Sequence, residues 1–261
     1  MTCFQPLNLQ APVNMSQNPD IPRNSQGRTK VFASPKAALD GLADGAVVLI
    51  GGFEGLGVPE SLLKALLDRG TSNLTCICQG AWTSLSDGQS VGLDRLASAG
   101  QISKLIAPLP FLTGDLRGGS GQSGVEARWS LGSLEIEAVP QGVLAERLRA
   151  GGAGLGGSFL PTAAGGLVRE GRENREVRQF DGQDHVFYPA LRADFALLRA
   201  AAADPVGNLV YRGAQRNWNP VMAMAATVSI AEVDEILDLG GLDPELVISP
   251  GIFVNRVVRT N

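Results

Sequence analysis

A run of five apolar residues, Ala46–Ile50, ends directly in a pair of glycines and constrains the fold more than any other feature of the sequence. A continuous, mostly β-branched run of this kind is typical of a strand that is buried on both faces of a parallel sheet. Pro59 stands where a helix would begin, the leucines that follow it share one helical face, and Gly70 would end the helix. The stretch therefore predicts a strand, a glycine-rich loop and a helix in succession.

The same alternation continues along the chain and predicts an α/β fold, namely an open, mostly parallel sheet with flanking helices. Residues 108–133, rich in glycine and proline, are expected to form a long loop, and only short strands are expected near the carboxyl end. A hairpin is expected around residues 167–188, with its tip at Asp181–His185. Beyond the first strand and helix, the predicted strands are Leu74–Cys78, Lys104–Ala107, Leu134–Val139, Ala193–Leu198 and Leu209–Tyr211, and the predicted helices are Val91–Ala99, Gly142–Ala150 and Asn219–Ala226.

Residues 1–29 are rich in Pro, Asn, Gln and Ser and are expected to form a disordered extension, which leaves residues 30–261 as the folded domain. The extension has neither the apolar segment of a secretory signal nor the arginine-rich helix of a transit peptide. Apolar stretches elsewhere are shorter than the roughly 18 residues that a membrane span requires. We therefore expect a cytoplasmic protein.

The charged residues exclude two classes of partner. The chain has 22 Lys and Arg against 26 Asp and Glu, a formal net charge of -4, and no Lys/Arg-rich run. Proteins that bind nucleic acid or an anionic membrane present a concentrated positive patch, so neither is expected as a partner.

Cysteine and histidine usage argues against a metal centre. Cys76 and Cys78 lie two residues apart in an apolar strand, where both thiols would point to one face, and core positions are expected for both. His185 is the only histidine and Cys3 lies in the extension, so no metal site is predicted. A Ser-His-Asp site would need His185 as its base, and a hairpin tip favours an exposed surface residue instead.

The glycine loop, residues 51–57, contains four glycines and leads into a helix N-terminus. Unpaired backbone N–H groups and the helix dipole favour an anionic or polar acyl ligand there. No Gly-Lys-Ser/Thr follows, so this is not a Walker loop, and the alternative is a tight turn that binds nothing. A second glycine-rich stretch, residues 152–157, matches G-x-G-x-x-G but follows a helical pattern instead of a strand, which argues against dinucleotide binding.

The glycine loop and several later segments together resemble the A (alpha) subunits of the family I coenzyme A-transferases, the 3-oxoacid and 3-oxoadipate CoA-transferases. The stretch Asp44–Pro59 is similar throughout to the glycine signature of that family. The resemblance spans roughly residues 31–259, and its segments occur in the family's order. These segments are Val139–Gly142, Leu144–Arg147, Gly151–Gly154, Pro161-Thr162, Leu191–Asp194, Gly207–Tyr211, Arg216–Pro220 and Ser249–Val254.

The resemblance implies a ping-pong reaction. A glutamate on a partner chain, the B subunit, attacks an acyl-CoA thioester and then carries CoA, as a glutamyl thioester, to the incoming carboxylic acid. That glutamate lies in a Ser-Glu-Asn-Gly-type motif, which this chain lacks, because Glu173-Asn174 is followed by Arg175 in a charged run expected at the surface. The chain is therefore expected to supply half of an active site. Coenzyme A esters are implied as substrates, and no permanently bound cofactor is implied.

The resemblance also assigns site residues. Gln141 matches a family glutamine that resembles a hydrogen-bond donor to the thioester carbonyl oxygen, which gains negative charge during attack. The alternative for Gln141 is a side chain that caps the helix starting near it. Gln79 and Gly80 stand where many relatives carry paired asparagines and are expected to border the substrate. The segment that matches the family's CoA-contacting loop consists of Gly51, Gly52, Phe53, Glu54, Gly55, Leu56 and Gly57.

The departures from the family's pattern leave the substrate open. The expected reaction moves CoA from succinyl-CoA, or another acyl-CoA, to a 3-oxo acid such as 3-oxoadipate or acetoacetate. One alternative is a relative that hydrolyses CoA esters or opens a ring. The other, from a different class, is a noncatalytic subunit that binds acyl-CoA.

Overall fold

An eight-stranded sheet forms the centre of the protein. The structure is a computed structural model and describes residues 29–80, 92–111, 123–161 and 176–260. The strands of the central sheet are β1 (Val47–Ile50), β2 (Leu74–Ile77), β3 (Ile102–Ala107), β4 (Glu135–Ala138), β8 (Ala193–Ala203), β9 (Leu209–Val210), β10 (Ala226–Ile236) and β11 (Arg256–Arg259).

The sheet is almost entirely parallel. Its order is β4-β3-β2-β1-β8-β10-β11, every pair of neighbours in this series is parallel, and β9 adds to β8 in the antiparallel direction. The predicted α/β class with an open, mostly parallel sheet is therefore confirmed. Of the predicted extension, residues 1–29, all but the last residue lie outside the described part of the chain, so the domain boundary stays a prediction.

Both faces of the sheet are covered. The helices are α1 (Pro35–Ala38), α2 (Glu60–Arg69), α3 (Leu93–Ser98), α4 (Gly124–Ser130), α5 (Gln141–Gly152) and α6 (Asn219–Met224). Helices α1 to α4 contribute to the hydrophobic layer on one face, and α5 and α6 contribute to the layer on the other.

Strand β1 shows why its sequence is apolar throughout. Val48 and Ile50 pack in the first layer and Leu49 in the second, as expected of a strand that is buried on both faces. Cys76 and Cys78 are buried together in the first layer, which confirms the prediction that they are core residues.

A second sheet of three antiparallel strands lies on the α5 side. It consists of β5 (Gly157–Pro161), β6 (Val177–Phe180) and β7 (Gln183–Pro189), in the order β5-β7-β6. The hairpin tip is the pair Asp181-Gly182, and both residues have positive φ, 50° and 76°. His185 lies within β7 and not at the tip, because a two-residue turn with positive φ at both positions closes the hairpin earlier than expected.

Two expectations were wrong. Residues 108–133 are not a continuous loop, because α4 begins inside them at a capping box. The Ser123 hydroxyl accepts from the Glu126 N–H at 3.1 Å and the Glu126 carboxylate accepts from the Ser123 N–H at 3.4 Å. The strands near the carboxyl end are not all short either, since β10 runs for 11 residues, with the polar Ser229 and Glu232 buried among apolar ones.

The parallel arrangement determines where the predicted site residues lie. Gly51 follows β1, Gln79 follows β2 and Gln141 follows β4, so all three stand at the carboxyl edge of the sheet. Ligands of open α/β sheets bind at this edge. No helix among the described residues is long and apolar enough to span a membrane.

Candidate active site

The glycine loop is a tight turn built on a one-pair antiparallel bridge. The Phe53 N–H donates to the Leu56 carbonyl at 2.8 Å, and the Leu56 N–H donates to the Phe53 carbonyl at 2.9 Å. The two residues between them, Glu54 and Gly55, both have positive φ, 49° and 81°. Such a turn needs left-handed backbone at both central positions, which glycine adopts freely and glutamate only at some cost.

Three glycines of the loop are required by contacts within the chain. A β-carbon at Gly51 would lie 1.8 Å from the Asn219 Oδ1, and one at Gly52 would lie 2.7 Å from a methyl group of Val58. A β-carbon at Gly57 would lie 3.0 Å from the Cα of Gln215. The loop thus packs closely against other parts of the chain, as expected if it is a tight turn. This fit and a ligand role are compatible, since the outer side of the turn is exposed at Glu54.

Gln79 supports the glycine loop from the neighbouring strand. Its side chain is almost fully buried, and its Oε1 accepts a hydrogen bond from the Glu54 N–H at 3.3 Å. Gly80 is buried beside it and forms a bridge with Leu109. The gap between the loop and Gln79-Gly80 measures about 10 Å³, close to the smallest volume that holds one water. Within the described residues, Gln79 therefore shapes the loop, and its contact with substrate stays a prediction.

The N-terminus of α2, which follows the loop, is occupied by a carboxylate of the protein itself. Pro59 provides no side-chain cap. Instead Glu232 of β10 accepts a hydrogen bond from the Leu62 N–H at 2.9 Å and also bonds to Ser61. Two N–H groups of this helix end therefore already have an acceptor within the protein, and the expectation of an anionic or polar acyl ligand here stays a prediction.

Glu232 is the buried carboxylate of a small charge cluster. Burial raises the pKa of its carboxyl above the usual range, although the Leu62 N–H and the Arg199 guanidinium act in the opposite direction. Arg199 Nη1 lies 3.8 Å from Glu232, and the same guanidinium pairs with Asp234. One cation thus faces two carboxylates behind the glycine loop.

Gln141 lines a pocket beside α5 and α6. It is the first residue of α5, directly after Pro140, and it is exposed. No side-chain hydrogen bond caps α5, so the capping alternative for Gln141 has no support. The pocket has a volume of about 700 Å³ and mostly apolar walls, within the range of small-molecule sites. Its lining residues are Gln141, Gly142, Ala145, Glu146, Arg149, Asn217, Trp218, Pro220, Val221, Met224, Ile248, Ser249, Pro250 and Phe253.

The pocket is lined by segments that are far apart in the sequence. Residues 217–221 form one wall and residues 248–253 another, and both overlap segments that carry the family resemblance. Trp218 is buried in this wall, and its indole N–H has no hydrogen-bond acceptor. Only the resemblance of Arg216–Pro220 and Ser249–Val254 signalled that these residues matter, since neither segment contains a histidine, a cysteine or a carboxylate.

The predicted site residues thus fall into two groups. Gly51–Gly57, Gln79 and Gly80 are in contact with one another, whereas Gln141 lines a separate pocket. The segment from Gln215 to Val221 connects the two, because Gln215 contacts Gly57 at one end and Val221 lines the Gln141 pocket at the other. Glu173–Arg175 lies outside the described residues. No cluster of His, Cys, Asp and Glu that could hold a metal occurs within the described ranges.

Known proteins match this chain over most of its length. The sequence profile of the Coenzyme A transferase family matches residues 32–260. The A subunit of the 3-oxoadipate CoA-transferase of Pseudomonas putida is 42% identical over 232 residues, which cover 89% of this chain and 94% of that protein. The A subunit of the succinyl-CoA:3-ketoacid coenzyme A transferase of Xanthomonas campestris pv. campestris is 45% identical over 230 residues, which cover 88% of each chain.

A solved structure shares the fold. The acyl-CoA transferase of Escherichia coli O157:H7, crystallised as a thioester complex with CoA, superposes with a TM-score of 0.72 at 23% sequence identity. The match covers 90% of this chain and 48% of that one. The fold described above thus corresponds to about half of that chain. With a family profile that spans nearly all of the described residues and relatives above 40% identity, the chain belongs to the coenzyme A transferase family.

Proposed function

We propose that the chain is the A (alpha) subunit of a heteromeric CoA-transferase that moves CoA from succinyl-CoA, or another acyl-CoA, to a 3-oxo acid such as 3-oxoadipate or acetoacetate. The observation that carries this proposal is the position of Gln141, whose exposed amide stands at the carboxyl edge of the sheet and opens onto an apolar pocket of about 700 Å³. The names of the two bacterial relatives support the reaction class, since one contains 3-oxoadipate and the other contains succinyl-CoA and a 3-ketoacid.

In this proposal Gln141 donates a hydrogen bond to the thioester carbonyl oxygen. Attack on the thioester moves negative charge onto that oxygen, and a fixed donor stabilises it more in the transition state than in the ground state. The side chain is well suited to this role because it is held at the first turn of α5 and is not used as a cap. Gly51–Gly57 would contact the CoA part of the ester, and Gln79 and Gly80 would border the substrate through the loop that Gln79 supports.

The nucleophilic glutamate would come from a second polypeptide, the B subunit. Support comes from the names of the relatives, which are one subunit of a larger enzyme, and from the solved CoA-transferase, of which this chain matches only 48%. The glutamate attacks the thioester carbonyl carbon, and CoA leaves as a thiolate. The thiolate then attacks the glutamyl carbonyl of the resulting anhydride, which forms a glutamyl-CoA thioester and releases the donor's carboxylate. The acceptor's carboxylate attacks this thioester and displaces CoA, and the CoA thiolate attacks the new anhydride at its acyl carbonyl, which yields the product thioester and regenerates the glutamate. Coenzyme A esters are substrates here, and the complex would act in the cytoplasm.

Co-expression tests the proposal. The chain would be produced with a second chain that carries the Ser-Glu-Asn-Gly motif, and the purified complex would be mixed with succinyl-CoA, with and without 3-oxoadipate or acetoacetate. We expect a stable complex and multiple-turnover loss of succinyl-CoA only when an acceptor is present, since without one at most one equivalent per active site is consumed. Multiple-turnover loss without an acceptor would indicate a hydrolase, and a complex that binds the ester without turnover would indicate a noncatalytic role.

A further inference from the structure

Asn219 lies between the two groups of site residues and is completely buried. Its Oδ1 accepts a hydrogen bond from the Arg199 N–H of β8 at 3.0 Å. Its Nδ2 donates to the Gly57 carbonyl at 3.2 Å and to the Gln215 carbonyl at 3.1 Å. One amide therefore ties the last residue of the glycine loop to the central sheet and to the segment that leads to the pocket.

The glycine loop is shaped to receive this amide. Gly51 passes so close to Asn219 that a β-carbon at position 51 would lie 1.8 Å from the Oδ1 and 2.7 Å from the amide carbon. Real β-carbons do not approach other atoms so closely, because repulsion rises steeply inside van der Waals contact. The first and the last glycine of the loop thus both contact the same side chain, one by close packing and one by a hydrogen bond.

The backbone of Asn219 is continuous with the wall of the Gln141 pocket. Asn219 is the first residue of α6, and its neighbours Trp218 and Pro220 both line the pocket. A shift of the glycine loop would therefore move this wall, and a shift of the wall would move the loop. Buried amides whose donors and acceptor are all satisfied hold such arrangements rigidly.

We propose that Asn219 is a positioning residue of the transfer reaction, which fixes the glycine loop at a set distance from the pocket of Gln141. This inference rests on the proposed function, in which the loop contacts the CoA part of the ester and Gln141 contacts its carbonyl oxygen. An ester that spans both parts is placed correctly only if the two parts keep their spacing. A misplacement of about 1 Å can cost about 10²-fold in rate, even when it originates away from the reacting atoms.

The test is a double-mutant cycle in the assembled complex with the B subunit. The four proteins are the wild type, Asn219→Asp, Gln141→Ala and the double variant, and the measured quantity is kcat/KM for succinyl-CoA. Asn219→Asp keeps the acceptor for Arg199 and replaces the donor to Gly57 and Gln215 by an oxygen. If Asn219 acts through the placement of the carbonyl at Gln141, the substitution should lower kcat/KM at least about tenfold in the wild type but less than about threefold when Gln141 is already absent, since coupled residues are not additive.

A binding measurement separates positioning from simple damage to the loop. Free CoA has no acyl group to place at Gln141, so its affinity for the Asn219→Asp complex should stay within about threefold of wild type. Equal losses in CoA affinity and in turnover, or additive effects in the cycle, would overturn the inference. Should Asn219→Asp fail to fold, Asn219→Ser removes the amide donor without adding charge and is held to the same criteria.

The matched control is Gln101→Ala. The Gln101 amide nitrogen likewise donates to two backbone carbonyls, those of Leu66 at 3.1 Å and Thr71 at 2.9 Å, and the residue is buried. It precedes β3, at the amino edge of the sheet, so its loss should lower stability without changing kcat/KM. Failure of the proposed function is recognised separately, because the wild-type complex would then show no acceptor-dependent turnover. Wild-type turnover with an unaffected Asn219→Asp variant would contradict only the inference.

Discussion

The backbone N–H of Leu62 is hydrogen-bonded at 2.9 Å to the carboxylate of Glu232, a residue 170 positions further along the chain. Helices usually obtain such a cap from a residue beside their first turn. Here Pro59 precedes the helix, offers no side-chain acceptor, and a strand on the far side of β8 supplies the carboxylate instead. The start of α2 and the position of β10 are therefore stabilised by one contact.

Replacement of Glu232 should destabilise the fold strongly. Glu232→Ala leaves the Leu62 N–H without its acceptor and removes a buried carboxylate from beside Arg199. We expect the free energy of unfolding to fall by about 3 kcal/mol, as measured by urea denaturation. Glu232→Gln keeps one acceptor oxygen and should lower the free energy of unfolding by less. Glu235→Ala, at an exposed position of the same strand, should change it by less than about 0.5 kcal/mol, and equal losses in the two alanine variants would contradict the role of the cap.

A methyl group at position 51 should be poorly tolerated. Gly51→Ala places a β-carbon 1.8 Å from the Asn219 Oδ1, so either the loop or the amide must move. Overpacking of this kind costs about 1–3 kcal/mol, and we expect the melting temperature to fall accordingly. Gly156→Ala is the control, because a β-carbon there has no atom within 4 Å. A Gly51→Ala protein as stable as the Gly156→Ala protein would show that the loop relaxes freely.

Loss of the Gln141 amide should slow turnover but leave the protein assembled. Gln141→Ala removes a side chain that is exposed and caps no helix, so folding should be unaffected. In the complex with the B subunit we expect kcat to fall at least tenfold, and by up to about 10²–10³-fold, the usual cost of one lost oxyanion donor. Gln141→Glu should be at least as slow, because a carboxylate cannot donate. Unchanged turnover in either variant would remove the catalytic role.

Acid should weaken the fold through Glu137. Burial alone would raise the pKa of this carboxyl, but hydrogen bonds from Lys104 at 3.0 Å and Arg147 at 3.2 Å outweigh burial and hold the pKa below its usual value. A lowered native pKa means that this stabilisation is complete above the unfolded-state pKa and is lost as the pH falls through the native one. We therefore expect the free energy of unfolding of the wild type to fall more steeply in acid than that of Glu137→Gln. Parallel pH profiles of the two proteins would contradict this.

The two core thiols should be unreactive in the native protein. Burial raises the pKa of Cys78 to about 12 and raises that of Cys76 even further, so almost no thiolate forms near neutral pH. In a Cys3→Ser background, an aromatic disulfide reagent should release no colour from the native protein and two equivalents after denaturation. Rapid reaction under native conditions would show that this part of the core opens.

Prediction from the sequence was most accurate where all the residues that determine an element lie in one short segment. The strand Ala46–Ile50, the glycines after it and Gly70 at the end of α2 are all local features, and the structure has them in the expected places. The capping box of Ser123 and Glu126 is equally local, but the glycines around it favoured the prediction of a loop. Gly70 has φ of 74°, the left-handed end of a helix that a glycine signals directly.

Contacts between distant segments could not be derived in this way. Nothing near Glu232 indicates that it caps a helix, because the acceptor and the donors are brought together only by the order of strands in the sheet. The wall of the Gln141 pocket is likewise formed by segments that are distant in the sequence. Trp218 and Phe253 both line it, and they lie in separate connections between strands of the sheet. Family resemblance identified these segments as important, and only the structure shows that they share a pocket.

The close fit of the glycine loop has a consequence for the proposed binding of an acyl-CoA ester. Gln79, Asn219 and the Phe53–Leu56 bridge hold the turn in one shape before any ester arrives. A preorganised receptor surface forfeits little conformational entropy on association, so more of the intrinsic attraction between partners appears as affinity. For a loop so rich in glycine, which would otherwise be among the costliest to immobilise, these internal contacts would lower the entropic cost of the proposed contact with CoA.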